Sequence, residues 1–533
     1  MKKIFYLFFI VTAGLITSCK KSSKKGDGST DGGGTTGPSK TGTTLQLAQD
    51  SLFLYAKETY LWFDQLPDYA TFKPRSFTNP APLTALSDEM DALSQYAINP
   101  ASGKPYEYYK YSPGAAKYSF IDDGTETGAL NGVKGDFGFD YNYNTVTDIR
   151  VVYVYAGSPA GLKGMRRGDQ ITAVNDNTNI SYDGVSGGQT YGDGSGTNLN
   201  YVYNAIFNSG TVKLAGKHTD GTSFTVTLST ANYNVNPVLK DTIFDVGGGK
   251  KIGYIVFNSF TSPDNAAPRL DPVFADFASK GVTDVAVDLR YNGGGYVATA
   301  EHLDNLLVPT AKNNTLMYTA VFNSTLTAGK ETLLKNQWRR DENNVLYNLS
   351  EQDYSLNNPY NTPNFSKIGT LNIGRVFFMV GPGTASASEL TINNLRPVMD
   401  VQLVGETTYG KPVGFFDIDI NKYIMFTPEF VTHNSANQGD YYDGMTPGNG
   451  YNGVNDVDDI TKDFGDPSEG LLKHVINYVK TGTFGTTKVI QSVGDARSFS
   501  LAASRDKAML INKNKFTGML FNTKHFKAKT VIK

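Results

Sequence analysis

The sequence predicts an α/β protein with a layered main domain, preceded by a β-rich module and an N-terminal helical region. Three observations predict this. From residue 240 to about 480, apolar runs such as "KIGYIVFNSF", "VTDVAVDLR" and "RVFFMV" alternate with helix-like runs such as "VATAEHLDNLLV" and "ASELTINNLRP". Buried strands followed by helices make an α/β domain. Between about 135 and 235, strand-like runs are separated by small-residue turns. Between 45 and 130, Leu45, Leu52, Leu54, Tyr55 and Trp62 recur at helical spacing. The length of 533 residues is enough for about three domains.

The chain opens with Lys2-Lys3, an apolar stretch from Ile4 to Leu15, and Ile16-Thr17-Ser18-Cys19. A charged start, a short apolar core and small residues describe a secretory signal. With Cys19 at the cut it resembles a bacterial lipoprotein signal. That resemblance implies removal of residues 1–18, acylation of Cys19 and a membrane-anchored place in the cell envelope. The apolar core is shorter than the roughly 18 residues of a membrane span. Cys19 is the one cysteine, so no intramolecular disulfide can form. Residues 19–44 are Gly-, Ser-, Thr- and Lys-rich and read as a flexible tether. The net charge of −2, with no basic run beyond the N-terminus, gives no electrostatic basis for nucleic-acid binding.

The helical region, 45–130, contains a second candidate helix, "PLTALSDEMDALSQYA", with Thr84 as a possible cap. In the region 131–235, Phe137-Gly138-Phe139 resembles the carboxylate-binding loop of PDZ domains. The run Ser158-Pro159-Ala160-Gly161-Leu162, then Arg167-Gly168-Asp169-Gln170-Ile171, is similar to bacterial PDZ modules. The resemblance implies peptide capture by strand addition at an edge. Residues 176–199, rich in Gly, Asn and Asp, read as an inserted loop. Residues 487–533 are basic and weakly periodic, with no assignable role.

The main domain, 240–486, contains "RVFFMVGPGTASASELTINNLR": an apolar strand, a Gly-Pro-Gly turn, then a helix start with three hydroxyls, Thr384, Ser386 and Ser388. Free N–H groups at a helix start can hold an oxyanion. Ser386 and Glu389 also form S-x-x-E, and from this stretch alone a capping box is the better account. A nucleophile needs a base. The five histidines, His218, His302, His433, His474 and His525, sit in stretches without site character. Lys411 follows a Gly410 turn among Tyr409, Val413, Phe415 and Phe416. Apolar surroundings lower an ammonium pKa from its usual value of about 10.4. Taken alone, Lys411 is better explained by a stem covering apolar surface.

Together, "TASASE" and "GETTYGK", with Lys411 placed 25 residues after Ser386, resemble the carboxyl-terminal processing proteases. The resemblance implies a crotonase/ClpP-like layered protease domain. It makes Ser386 the nucleophile, Lys411 its base and Glu389 an acidic site residue. The run "DLRYNGGG" is similar to the family's oxyanion turn. It implies N–H donors from Ala387 and from one of Gly293, Gly294 and Gly295. The family often carries Gln four residues after the lysine; here that position is Phe415. No metal or organic cofactor is implied. Expected partners are polypeptides, engaged through their C-termini, and the membrane through the lipid anchor. The alternative is a non-catalytic peptide- or ligand-binding lipoprotein on the same scaffold.

Overall fold

In the computed structural model, residues 37–186, 189–486, 518–521 and 527–529 are described. Cys19, the expected signal, most of the tether and His525 lie outside them.

The main domain is built on a six-stranded sheet. Its order is Val238–Gly247, Lys250–Phe257, Asp284–Asp288, Arg375–Val380, Asp400–Gly405 and Gly453–Asn455. The first pair is antiparallel and every later neighbour is parallel. The run "RVFFMV" is apolar after its first residue, and "DVAVD" is apolar between its two aspartates, because helices cover both faces. Side chains alternate between two cores. Val376, Phe378 and Val380 face the helices Pro263–Ser279, Val297–Leu307 and Ala387–Leu395. Phe377 and Met379 face the helix Gly470–Thr481. The loops leaving the carboxyl ends of the third, fourth and fifth strands carry Arg290 to Gly295, Ser386 and Lys411. Adjacent parallel strands thus deliver three distant segments to the carboxyl end of the sheet, the usual place for a site in such folds.

A separate five-stranded antiparallel sheet has the order Ser223–Ser229, Thr211–Lys217, Gln170–Val174, Asp148–Val154, Phe139–Thr145. Its own core includes Tyr141, Ile149, Ile171 and Leu214, with Val202 and Ile206 from the helix Thr197–Phe207. Phe139–Thr145 is an edge strand. The stretch expected to be an inserted loop carries a small hairpin, Val185–Ser186 with Gln189–Thr190, and the first residues of that helix.

The N-terminal region is helical only in part. Thr43 caps the helix Thr44–Thr59. Thr84 does not cap the second helix: it runs Pro82–Ser94, with Ala81 at the cap and Pro82 at the first position. Proline there fixes φ and lacks an N–H that would have no partner. Beyond it the chain forms the strand Phe120–Asp122, antiparallel to Tyr423–Phe426 of the main domain. Leu52, Phe53, Leu86 and Met90 belong to the same apolar core as Val287 and Phe378. No helix among the described residues is long and apolar enough to cross a membrane.

Glu89 is fully buried in the second helix, and neither carboxyl oxygen has a hydrogen-bond partner. Burial, reinforced by the Asp50 charge, pushes its pKa up to about 10. A carboxyl raised this way costs the fold nothing below its unfolded value of about 4.3, and progressively more as pH rises from there. Glu89→Met should therefore raise stability by ~2–4 kcal/mol at pH 7, and by less than ~1 kcal/mol near pH 4. Urea denaturation at both pH values measures this, and a pH-independent difference would refute the account.

Candidate active site

The turn Gly381-Pro382-Gly383 ends the strand Arg375–Val380 and starts the helix Ala387–Leu395. Of the three hydroxyls there, two have structural work. Thr384 Oγ1 donates to Leu289 O at 2.7 Å and accepts from the Gly381 N–H at 3.0 Å. Ser388 Oγ donates to Asn292 O at 2.9 Å. These bonds pin the turn to the loop after Asp288. Ser386 differs. Its φ of 57° and ψ of −105° lie outside the regions that L-residues favour. Strain of this kind costs about 1–3 kcal/mol and collects at functional positions. Ser386 and Glu389 take the reciprocal capping-box arrangement, yet the buried Ser386 Oγ makes no hydrogen bond of normal geometry.

Glu389 is a fully buried clamp. One oxygen accepts the Ser386 N–H at 2.9 Å and the Lys411 N–H at 2.8 Å. The other accepts the Gly410 N–H at 2.7 Å and the Thr408 hydroxyl. Burial pushes its carboxyl above the ordinary value, and these donors oppose the rise. A single oxygen atom thus ties the main chains of Ser386 and Lys411 together. Glu389 acts on their positions, so it is a positioning residue.

Lys411 is fully buried. Its Nζ donates to Tyr118 O at 3.3 Å and sits 3.8 Å from the centre of the Phe415 ring. Burial drives the ammonium well below its ordinary pKa; Glu107, Glu389 and Glu429 pull back, and Lys117 reinforces the fall. The amine is thereby brought toward the neutral form that a base needs. Phe415, four residues after Lys411, supplies a ring face to the amine.

Tyr118 is a site residue that sequence reasoning missed. Besides its carbonyl contact, its hydroxyl donates to Gly410 O at 2.7 Å. Glu107 holds this segment: it accepts the N–H groups of Tyr118 and Ser119 at 2.9 and 2.7 Å, and the Tyr60 hydroxyl at 2.9 Å. The run "AAKYSFIDD" around Tyr118 was a visible signal; Glu107 had none.

Gly294 (φ 106°) and Gly295 (φ 140°) occupy conformations that side chains disfavour. A Cβ on Gly294 would lie 3.0 Å from Ala387 N and 2.3 Å from Gly518 O. The glycine turn is therefore packed directly on the start of the helix that Ser386 caps. The Gly294 N–H donates to Asn292 Oδ1 at 2.9 Å, and Gly293 O accepts the Gly518 N–H at 3.1 Å.

Phe137 and Phe139 are buried in the five-stranded domain. Phe137 O accepts the Ala160 N–H at 2.9 Å and Gly138 O accepts the Tyr155 N–H at 2.8 Å, so the loop packs on Ser158-Pro159-Ala160. A cavity of about 790 Å³ reaches from Tyr141 and Asn142 on the edge strand to Gly293, Gly294 and Pro382. Beneath it, Arg167 bonds Asp458 at 2.6 Å, and Arg290 bonds Asp288 at 2.6 Å, Glu469 at 3.0 Å and Asp458. Three described histidines have aspartate partners of their own: His218 with Asp169, His302 with Asp271, and His474 with Asp456. Among the described residues, no group of three or more His, Cys, Asp or Glu is placed to hold a metal.

Residues 251–432 match the model of peptidase family S41. A carboxyl-terminal-processing protease of Picosynechococcus sp. is 27% identical over 289 residues, 54% of this chain and 55% of that protein. The protein of the same name from Synechocystis sp. is 24% identical over 54% of each chain. The chain thus spans about half the length of the curated relatives it matches. A solved Bacteroides fragilis structure described under the S41 proteases superposes with a TM-score of 0.52. It shares 21% identity, over 81% of this chain and 97% of that one, a likeness of fold.

Proposed function

We propose that this chain, whose residues 251–432 match peptidase family S41, is a serine endopeptidase in which Lys411 deprotonates Ser386. One observation carries the reading: of the three buried hydroxyls at the turn, Ser386 alone makes no hydrogen bond of normal geometry, and Glu389 binds its N–H and that of a desolvated lysine through one oxygen. In the proposed reaction neutral Lys411 takes the Ser386 proton as Oγ attacks the scissile carbonyl. The Ala387 N–H and the glycine turn receive the oxyanion. The proton passes to the leaving amine, and water then releases the acyl-enzyme. The five-stranded domain acts as a PDZ-like module, adding an extended chain end to its edge strand Phe139–Thr145. The N-terminal pattern ending in Cys19 supports a lipid-anchored protein of the cell envelope.

The test compares mature chain and Ser386→Ala on an unfolded protein substrate. Wild type should cleave it and Ser386→Ala should lose at least about 10³-fold in rate. Equal survival of the substrate with both chains would sink the proposal.

A further inference from the structure

The apolar run Gly518-Met519-Leu520-Phe521 interrupts the basic C-terminal extension. It lies against the nucleophile's loop. The strand Gly518–Leu520 runs parallel to Gly294–Tyr296, pairing Gly518 with Gly294, Met519 with Gly295 and Leu520 with Tyr296. Phe415 takes its other edge: the Phe415 N–H donates to Met519 O at 2.9 Å and the Phe521 N–H donates to Phe415 O at 2.7 Å. The segment is therefore the middle strand of three. On one side is the glycine turn that touches Ala387; on the other is the residue whose ring covers Lys411 Nζ. Strands lie about 4.8 Å apart, so the flanking edges are about 9.6 Å apart and a single extended chain fills the slot.

The side chains fill pockets. Leu520 packs with Leu130, Phe415 and Phe426. Phe521 meets the rings of Phe322 and Phe430 edge-on. The polar contacts that hold the strand in the slot are main-chain bonds, which any sequence can make; preference comes from the pockets. Downstream, Lys527 O accepts the Asp353 N–H at 2.8 Å and the Lys529 N–H donates to Glu351 O at 3.0 Å, a second anchor for the tail.

We propose that this slot is the peptide-accepting groove of the site, that it takes extended polypeptide carrying bulky apolar side chains, and that Gly518–Phe521 occupies it in cis as a competitor. The proposal rests on the serine peptidase reading and adds its substrate class and a built-in occupant. A tethered segment acts at an effective concentration on the order of 1 mM. A strand with an intrinsic Kd of ~0.1 mM then fills the groove about 90% of the time, leaving about a tenth of the molecules open to substrate.

The test uses the full chain. Leu520→Asp puts a charge in the Leu130–Phe415–Phe426 pocket and should raise cleavage of an unfolded protein about tenfold. Leu520→Ala, which buries no charge, should raise it by less. A synthetic peptide TGMLFN should bind Leu520→Asp by fluorescence anisotropy and return its rate toward wild type; TGMDFN should do neither. Unchanged or reduced rates in both variants of an active wild type, or failure of TGMLFN to bind and inhibit, would overturn the proposal and leave the peptidase standing. Absence of cleavage by wild type and both variants would instead overturn the peptidase reading beneath it, and the proposal with it.

Discussion

Lys411→Met should lower peptidase activity by about 10⁴-fold or more while making the folded chain more stable at neutral pH. The activity loss follows from removing the proposed base. The stability gain follows from the burial of Lys411: a fully buried ammonium is penalised, so the folded chain holds it with a pKa well below the ordinary value. Between that lowered value and about 10.4 the unfolded chain binds more protons than the folded one, so wild-type stability rises with pH across that window. Methionine has a similar length and carries no such cost. The variant's advantage should be largest, ~1–3 kcal/mol, at and below neutral pH and should shrink toward pH 10. Wild-type activity should likewise rise with pH through the lowered Lys411 pKa. Denaturation and cleavage measured from pH 6 to 10 check both. A variant within tenfold of wild-type activity, or a stability difference that ignores pH, would exclude this role.

Arg290→Met should unfold the chain about 10 °C earlier, equivalent to ~3–5 kcal/mol. Arg290 is fully buried with Asp288, Asp458 and Glu469, and Arg167 of the five-stranded domain joins it at Asp458. Removing it leaves three buried or half-buried carboxylates short of a partner. The large cost arises from those stranded charges and does not mean the intact network adds that much stability. Arg290 also directly precedes the Tyr291 to Gly295 turn, so activity should fall even at temperatures where both chains are folded. Calorimetry and cleavage assays measure the two effects; a Tm change below about 2 °C would show that the carboxylates find other partners or take up protons at little cost.

The layered domain was legible because its strands are long enough to show burial on both faces, as in "RVFFMV". The proposed pairing of Ser386 with Lys411 came from motif and spacing; the structure links their main chains through Glu389. Which hydroxyl is left without a hydrogen bond of normal geometry was not legible, since that depends on Thr384 reaching Leu289 and Ser388 reaching Asn292, carbonyls almost 100 residues away. Glu389 read as a cap or a site acid; its grip on Gly410 and Lys411 exists only after two sheet strands have aligned. The helical reading of 45–130 failed at Phe120–Asp122 because three residues carry no period, and the edge of Tyr423–Phe426 decides their conformation. Gly518–Leu520 escaped for the same reason, its partners being a glycine turn and a single phenylalanine.

The carbonyl that Lys411 meets belongs to Tyr118, a residue 293 positions earlier in the chain. The N-terminal region thus contributes to the amine's burial, together with the Phe415 ring. A fragment confined to 251–432 would hold Ser386, Glu389 and Lys411, yet its lysine would stand in water near a pKa of about 10.4 and keep its proton. During synthesis, or after partial unfolding, the proposed nucleophile and its amine would both be present but inactive. On the proposed mechanism, cleavage therefore waits until the Tyr118 segment and the loops carrying Ser386 and Lys411 have met.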